Sequence, residues 1–171
     1  MGVTIHFEGR AKGDDQRDSA IVAAKRFAEN CGWLSSDINE SRTVLKRVID
    51  ERPVDYVGPT RGAQLQPHEN AEPIRLEFDR DNFCQDYCKT QFAPTDVHVK
   101  LIELLLSIKP FFADLAVIDE GEYYESGNID QLQRHIDRCF EMMEQIKAER
   151  PGHSGPCRLP SGRIVDLKSD A

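Results

Sequence analysis

The N-terminal segment alternates between apolar and polar positions. Apolar side chains at Val3, Ile5 and Phe7 are separated by polar ones, among them His6 and Glu8. A period of two is typical of a strand with one face buried and the other in water. We therefore expect a first strand that presents its polar face to solvent.

The following segment has a helical pattern instead. Apolar residues from Ala20 to Cys31 recur at steps of three and four, which places them on one face of a helix. The turn at residues 12–15 offers a carboxylate as N-cap, and Gly32 occupies the position of a left-handed C-cap.

The middle of the chain favours strands joined by turns. Residues 33–40 lack a clear period and are predicted as an irregular connector. The predicted strands are residues 43–50, 63–66 and 72–79, separated by the dipeptides Arg52-Pro53, Gly58-Pro59 and Arg61-Gly62.

The second half is predicted to be mainly helical. Residues 81–88 are interpreted as a short helix, and residues 97–112, apolar nearly all round, as a buried helix that ends at Pro110. A short strand is expected at residues 115–118. Asn128 with Gln131 resembles a capping box that opens a last helix ending near Arg150.

These elements predict an α+β fold of order β-α-β-β-β-α-β-α. Alternation along the strands indicates a mainly antiparallel sheet with one wet face, so the helices are expected on the other face. The predicted architecture is a two-layer sandwich, a ferredoxin-like variant. Residues 1–150 form a single predicted domain, and the Pro-, Gly- and Ser-rich residues 151–171 form an arm or tail, strand-like at 163–167.

Composition narrows the classes of function. The net charge is −8, which argues against a nucleic-acid partner. Apolar runs are too short for a membrane helix, and the N-terminus does not resemble a signal peptide, so the sequence predicts a cytoplasmic protein without a membrane partner. Five scattered cysteines in such a protein indicate reduced thiols. No phosphate-binding loop or cofactor motif is present, so no cofactor is predicted.

An acidic loop after the short strand at residues 115–118 is the sharpest local feature. It combines carboxylates with two tyrosines, and tyrosine supplies contact area at low entropic cost. The loop favours docking of a basic partner, although a merely solvated loop or a site for a hard cation is also compatible with the residues. Its members are Asp119, Glu120, Glu122, Tyr123, Tyr124 and Glu125.

The histidines offer a second possible site. No His-x-x-x-His spacing occurs, so a metal site would need separate elements to converge, and none is predicted. The weak candidates for ligands are His68, His98 and Asp119. His98 is expected in the first turn of the buried helix.

Cys84 and Cys88 would share a helix face in the predicted helix at residues 81–88. Their spacing is not that of a zinc or redox motif, and their role stays open.

The polar, solvent-exposed face of the predicted sheet is a possible platform for another chain. It is expected to present His6, Glu8, Arg75 and Glu77.

Three functions remain open at the level of sequence. The leading hypothesis is a non-catalytic binding or adaptor module, of the kind used by inhibitor or immunity proteins, for a protein partner with a basic surface. The alternative is a metal-assisted or acid–base hydrolase that uses Asp119, Glu120 or Glu122 with His68 or His98. A self-associating structural unit is the third, since a homo-oligomer is compatible with the sequence.

Overall fold

Helices and antiparallel strands are mixed along the chain in the computed structural model, which describes residues 2–169. The predicted α+β class is confirmed. The helices are α1 (Asp14–Asn30), α2 (Thr95–Ile108), the single-turn α3 (Tyr123–Ser126) and α4 (Ile129–Glu149). The main strands are β1 (Thr4–Ala11), β2 (Leu34–Ile49), β3 (Arg52–Gln66), β4 (Ile74–Phe78), β5 (Phe83–Lys89) and β6 (Phe112–Asp119).

The six main strands form two antiparallel sheets of three. One has the order β5-β1-β6, so the N-terminal strand lies at its centre, and the other has the order β2-β3-β4. Register pairs His6 of β1 with Tyr87 on one side and with Ile118 on the other. The ferredoxin-like arrangement of these strands remains a prediction.

Three segments differ from the sequence prediction. The dipeptides Arg52-Pro53, Gly58-Pro59 and Arg61-Gly62, predicted as turns, all lie within β3, because pairing with β2 keeps residues 52–66 extended. Residues 81–88 are not a helix; the chain turns at Asn82 and then runs as β5, because Phe, Tyr and Cys suit a pleated surface that pairs with β1. Residues 33–40 are not an irregular connector, since β2 begins at Leu34 and is hydrogen-bonded to β3. The two main sheets therefore contain six strands, one more than the five of the predicted order.

The hydrophobic core lies between the sheets and the helices α1 and α2. Buried side chains of α1, such as Ala24, and of α2, such as Leu101 and Leu105, pack with Ile5 and Phe7 of β1 in one cluster. The opposite face of β1, which carries His6 and Glu8, is not buried. Among the described residues, no helix has the length and apolar character required to cross a membrane.

Two helix ends follow the sequence signals in part. Gly32 has a φ of +70°, the left-handed conformation expected after α1. The Asn128 side chain accepts the backbone N–H of Gln131 at 3.1 Å and so caps α4. The N-cap of α1 is Gly13, which has no side-chain oxygen, so the expected carboxylate cap is absent there.

Side chains bridge β4 and β5 between two backbone hydrogen bonds, in which the N–H groups of Glu72 and Asp79 donate to the carbonyls of Lys89 and Phe83 at 3.0 Å each. The Arg75 backbone N–H donates to the Asp86 carboxylate at 2.7 Å, and the Lys89 backbone N–H donates to the Glu72 carboxylate at 3.0 Å. The C-terminal arm lies along this seam, where the backbone N–H of Ile164 donates to Glu72 at 2.7 Å. The arm contains four two-residue strands: β7 (His153–Ser154), β8 (Cys157–Arg158), β9 (Ile164–Val165) and β10 (Lys168–Ser169). Residues 170–171 of the predicted arm lie outside the described residues.

Candidate binding cleft

The floor of the cleft is the outer face of the β5-β1-β6 sheet. Paired residues of adjacent strands project from the same face, so His6 lies between Tyr87 and Ile118. Glu8 lies one step along β1, between Gln85 and Ala116. These side chains line a cavity of about 640 Å³, of which Ile118 is the most exposed apolar member at 67%.

The wall of the cleft is the distal half of the β2–β3 hairpin. Lys46 and Val48 line the same cavity as the floor residues. The Gln85 carboxamide holds the wall in place, because it accepts the backbone N–H of Val48 at 3.0 Å and donates to its carbonyl at 2.7 Å. Arg47 adds a buried ion pair with Asp79.

The C-terminal arm supplies one rim of the cleft through Arg163. Its guanidinium lies 3.8 Å from the centre of the Tyr87 ring and pairs with Asp86 at 2.5 Å and with Glu72 at 3.4 Å. Burial raises the pKa of Asp86, and the nearby Arg163 only partly offsets this effect, so the pKa stays above its ordinary value.

The cleft carries two carboxylates that pair with no Lys or Arg side chain among residues 2–169. Glu8 accepts a hydrogen bond from the Gln85 amide, and Glu120 accepts the backbone N–H of Thr4 at 3.0 Å and lies 3.6 Å from His6. The cations that line the cavity are engaged elsewhere: Lys46 pairs with Asp55 at 2.5 Å, and Arg163 with the seam carboxylates. The floor is therefore acidic.

The acidic loop is spread over different environments. Asp119 is buried, and its carboxylate accepts the backbone N–H groups of Gly121 at 2.7 Å and Tyr124 at 2.9 Å. Its side chain is 0% exposed, so it cannot contact a partner. Glu122 faces α4, where it contacts Gln131 and lies 3.3 Å from His135.

The other members of the loop also differ in exposure. Tyr123 packs edge-on against the His98 ring, and Tyr124 accepts a hydrogen bond from Lys109 at 3.0 Å. Glu125 is exposed. Of the loop, only Glu120 lines the cleft, whereas Asp119, Glu122 and Glu125 line a second cavity of about 470 Å³, so the six residues do not form one surface.

A buried chain of hydrogen bonds links Thr90, His98 and Asp119. The Thr90 hydroxyl lies 2.7 Å from His98 Nδ1, and His98 Nε2 lies 3.1 Å from the Asp119 carboxylate. Burial alone would raise the pKa of Asp119, but the hydrogen bond and charge of His98, with the two backbone N–H groups, hold it below its ordinary value. The order of groups is that of a nucleophile, base and acid, but both ionisable side chains are at most 1% exposed. These three hydrogen-bonded side chains therefore stabilise the interior of the protein and do not form an accessible active site.

The remaining predicted residues lie apart from the cleft. His68 accepts the backbone N–H of Asn70 at 3.0 Å within its own turn. Arg75 and Glu77 line an adjoining cavity of about 200 Å³, which shares Lys46, Gln85, Asp86 and Arg163 with the cleft. Their side chains bond to Gln64 and Thr60. Within residues 2–169, no group of three or more His, Cys, Asp or Glu side chains is arranged to hold a metal ion.

Cys84 and Cys88 do not share a helix face, since both lie on β5. Their side chains belong to the core cluster. Burial raises the pKa of both thiols well above the ordinary cysteine value, so neither is available as a thiolate nucleophile.

Sequence reasoning found part of the floor and missed the wall and rim. His6, Glu8 and Glu120 follow from the alternation of β1 and from the acidic loop. Gln85 and Tyr87 were missed because their segment was interpreted as a helix, although its β-favouring residues were a usable signal. Long-range contacts alone bring the hairpin and the arm to the sheet, so no local pattern identifies Lys46, Val48 and Arg163.

Comparisons with protein-family models, with curated proteins and with solved structures find no match to this chain.

Proposed function

We propose that this protein is a non-catalytic binding module that takes up the basic surface of a partner protein in its outer cleft. The observation that carries the proposal is the pair of carboxylates on the cleft floor, Glu8 and Glu120, for which the cleft itself provides no Lys or Arg partner. A cationic side chain of a partner supplies the missing charge, and Ile118 beside it offers an apolar contact for its methylene stem.

The whole molecule favours the same class of partner. A net charge of −8 attracts basic surfaces and accelerates their encounter. The same charge on a second copy repels it, so the acidic floor favours a different protein over self-association. A two-layer sandwich of the ferredoxin-like type, with helices on one side only, would leave this face free, and a cytoplasmic location is the setting proposed for it.

A hydrolase is less well supported by the geometry. The buried His98–Asp119 pair has the chemistry of a base with its orienting acid, but at 1% and 0% exposure these side chains cannot meet a substrate. His6 and Glu120 are accessible, yet no nucleophilic side chain is hydrogen-bonded to them among the described contacts.

The proposal is tested with a fluorescent oligolysine peptide as probe. Anisotropy measures its affinity for the wild-type protein and for the double variant Glu8→Gln/Glu120→Gln. We expect at least a tenfold loss of affinity, and wild-type affinity that falls as salt is raised, because exposed charges are screened.

The matched control is Glu103→Gln/Glu144→Gln, which removes the same two charges from exposed positions of α2 and α4. It should retain most of the affinity. Equal losses in the two double variants would mean that the peptide responds only to net charge, and the proposed site would be wrong.

A further inference from the structure

We infer that the partner element bound in the cleft is an amphipathic helix, basic along one stripe and aliphatic along the next. This inference rests on the proposed function and adds the mode of recognition. The inference is drawn from the hairpin wall, which offers aliphatic contacts, whereas the floor carries carboxylates.

The wall presents an aliphatic face to the cleft. Val44, Lys46 and Val48 alternate along β2 and therefore project from one face of the hairpin. Lys46 and Val48 line the cavity, so this face is the one turned toward the floor. Val48 is 57% exposed, and the Lys46 stem lies beside it on the same face. Val44 lines the adjoining cavity with Arg75 and Glu77 instead.

The opposite face of the hairpin provides an internal comparison. Ile49 and Val54 lie on the same face as Arg47, whose guanidinium packs over the Phe83 ring. That face is therefore turned to the β4–β5 turn. The two faces have similar aliphatic content but only one adjoins the acidic floor.

The floor beside the wall is broad enough for a helix. The wall stands on β5 at Gln85, and the floor extends from there to β6, two inter-strand spacings away. Two spacings are about 10 Å, close to the roughly 10–12 Å diameter of a helix with its side chains. Because wall and floor meet at an angle, the occupant needs aliphatic and basic side chains on adjacent sides, as an amphipathic helix provides.

The basic stripe of the helix should face the floor, because the floor carries the carboxylates of Glu8 and Glu120. Glu8 and the Thr4 backbone, where Glu120 is anchored, lie four residues apart on β1, or about 13 Å. Cationic residues two turns apart on a helix are separated by about 11 Å. A single helix can therefore address both carboxylates while its aliphatic side contacts Val48 and Ile118.

Two synthetic peptides of identical Leu and Lys composition test the inference. In one, leucines recur at steps of three and four; in the other, the same residues are shuffled so that no face is apolar. We expect the amphipathic peptide to bind at least tenfold more tightly than the shuffled one and to gain helical circular dichroism on binding.

The wall is tested with Val48→Thr, which keeps a β-branched residue in the strand at the valine that lines the cleft. This variant should lower the affinity of the amphipathic peptide severalfold, leave its salt dependence unchanged and leave oligolysine binding unaffected. The control, Ile49→Thr, changes the opposite face of the same strand and should retain wild-type affinity.

The outcomes separate the two proposals. Equal affinity of the amphipathic and shuffled peptides, or no effect of the wall variant, overturns the helix inference while the charge-dependent binding of oligolysine still supports the binding module. Failure of all three peptides to respond to Glu8→Gln/Glu120→Gln overturns both. A wall variant that weakens all three peptides alike would indicate a disturbed cleft rather than a specific apolar contact, and that result too contradicts the inference.

Discussion

Asp119 illustrates how burial decides the role of a single residue. In the sequence it belongs to an acidic loop, and its neighbours suggest exposure. In the structure its carboxylate is enclosed with His98 and accepts two backbone N–H groups, so its charge is fully used inside the protein. A carboxylate held in this way contributes to stability rather than to recognition.

We predict that Asp119→Asn destabilises the protein by about 3 kcal/mol at neutral pH, because it leaves a buried polar network without its charge. Urea denaturation measures the loss. The pKa of Asp119 is lowered in the folded protein, so near its ordinary value of about 4 the unfolded chain binds more protons. The contribution of Asp119 is therefore complete above about pH 4 and lost as the pH falls through the lowered folded value.

It follows that the difference in free energy of unfolding between wild type and Asp119→Asn should narrow only below about pH 4. Glu125→Gln, at an exposed position of the same loop, should differ little from wild type throughout. A gap that stays constant down to pH 3 would show that the charge of Asp119 is not what stabilises the fold.

Among the secondary-structure elements, the β2–β3 hairpin matters most for the proposed function, because it forms the wall of the cleft. Its two-residue turn consists of Asp50 and Glu51, which have φ values of 48° and 62°. The left-handed region is unfavourable for residues with a Cβ atom and is readily adopted by glycine. Asp50 and Glu51, which form the turn at the end of the cleft wall, therefore adopt a backbone conformation that is unfavourable for their residue types.

We predict that Asp50→Asn/Glu51→Gly stabilises the protein by up to about 1 kcal/mol, since Asn-Gly is the preferred pair for a two-residue hairpin with both φ values positive. Thermal unfolding should show a higher Tm, with peptide affinity unchanged. A lower Tm would mean that the Asp50 and Glu51 side chains make stabilising contacts that outweigh the backbone strain.

The accuracy of the sequence interpretation varied with how local each signal was. The period-two pattern of β1 and the stripes of α1 and α4 depend on a few adjacent residues, and these elements were predicted. The strand β5 was missed because a short segment with mixed polarity has no decisive period, and its pairing with β1 determines its conformation. The length of the hairpin likewise depends on pairing between β2 and β3.

For the molecule as a whole, the C-terminal arm joins the two sheets along a seam of buried carboxylates. Glu72 is 2% exposed and accepts N–H groups from both β5 and the arm, and Asp86 bridges to β4. Arg163 of the arm is the cation that pairs with both. The arm is therefore part of the folded unit, although its composition resembles that of a linker.

We predict that Arg163→Met lowers the free energy of unfolding by about 3 kcal/mol at pH 7, because it leaves two buried carboxylates without their shared cation. Arg163→Lys keeps the positive charge but not the forked donors of the guanidinium. Its free energy of unfolding should lie between those of Arg163→Met and the wild type. Arg138→Met, at an exposed position of α4, is the control for loss of an arginine and should have little effect.

The deficit of this variant should depend on pH through the protonation of Asp86. The pKa of Asp86 is already raised by burial and rises further without Arg163, so the folded state binds protons more readily than the unfolded chain. Protonation then stabilises the fold, so the deficit of Arg163→Met should shrink as the pH falls toward the raised pKa of Asp86, at a higher pH than the one at which Asp119 begins to titrate. A deficit that stays constant or grows as the pH falls would mean that protonation of Asp86 does not relieve the loss of Arg163, and that the arm stabilises the seam through packing rather than through charge.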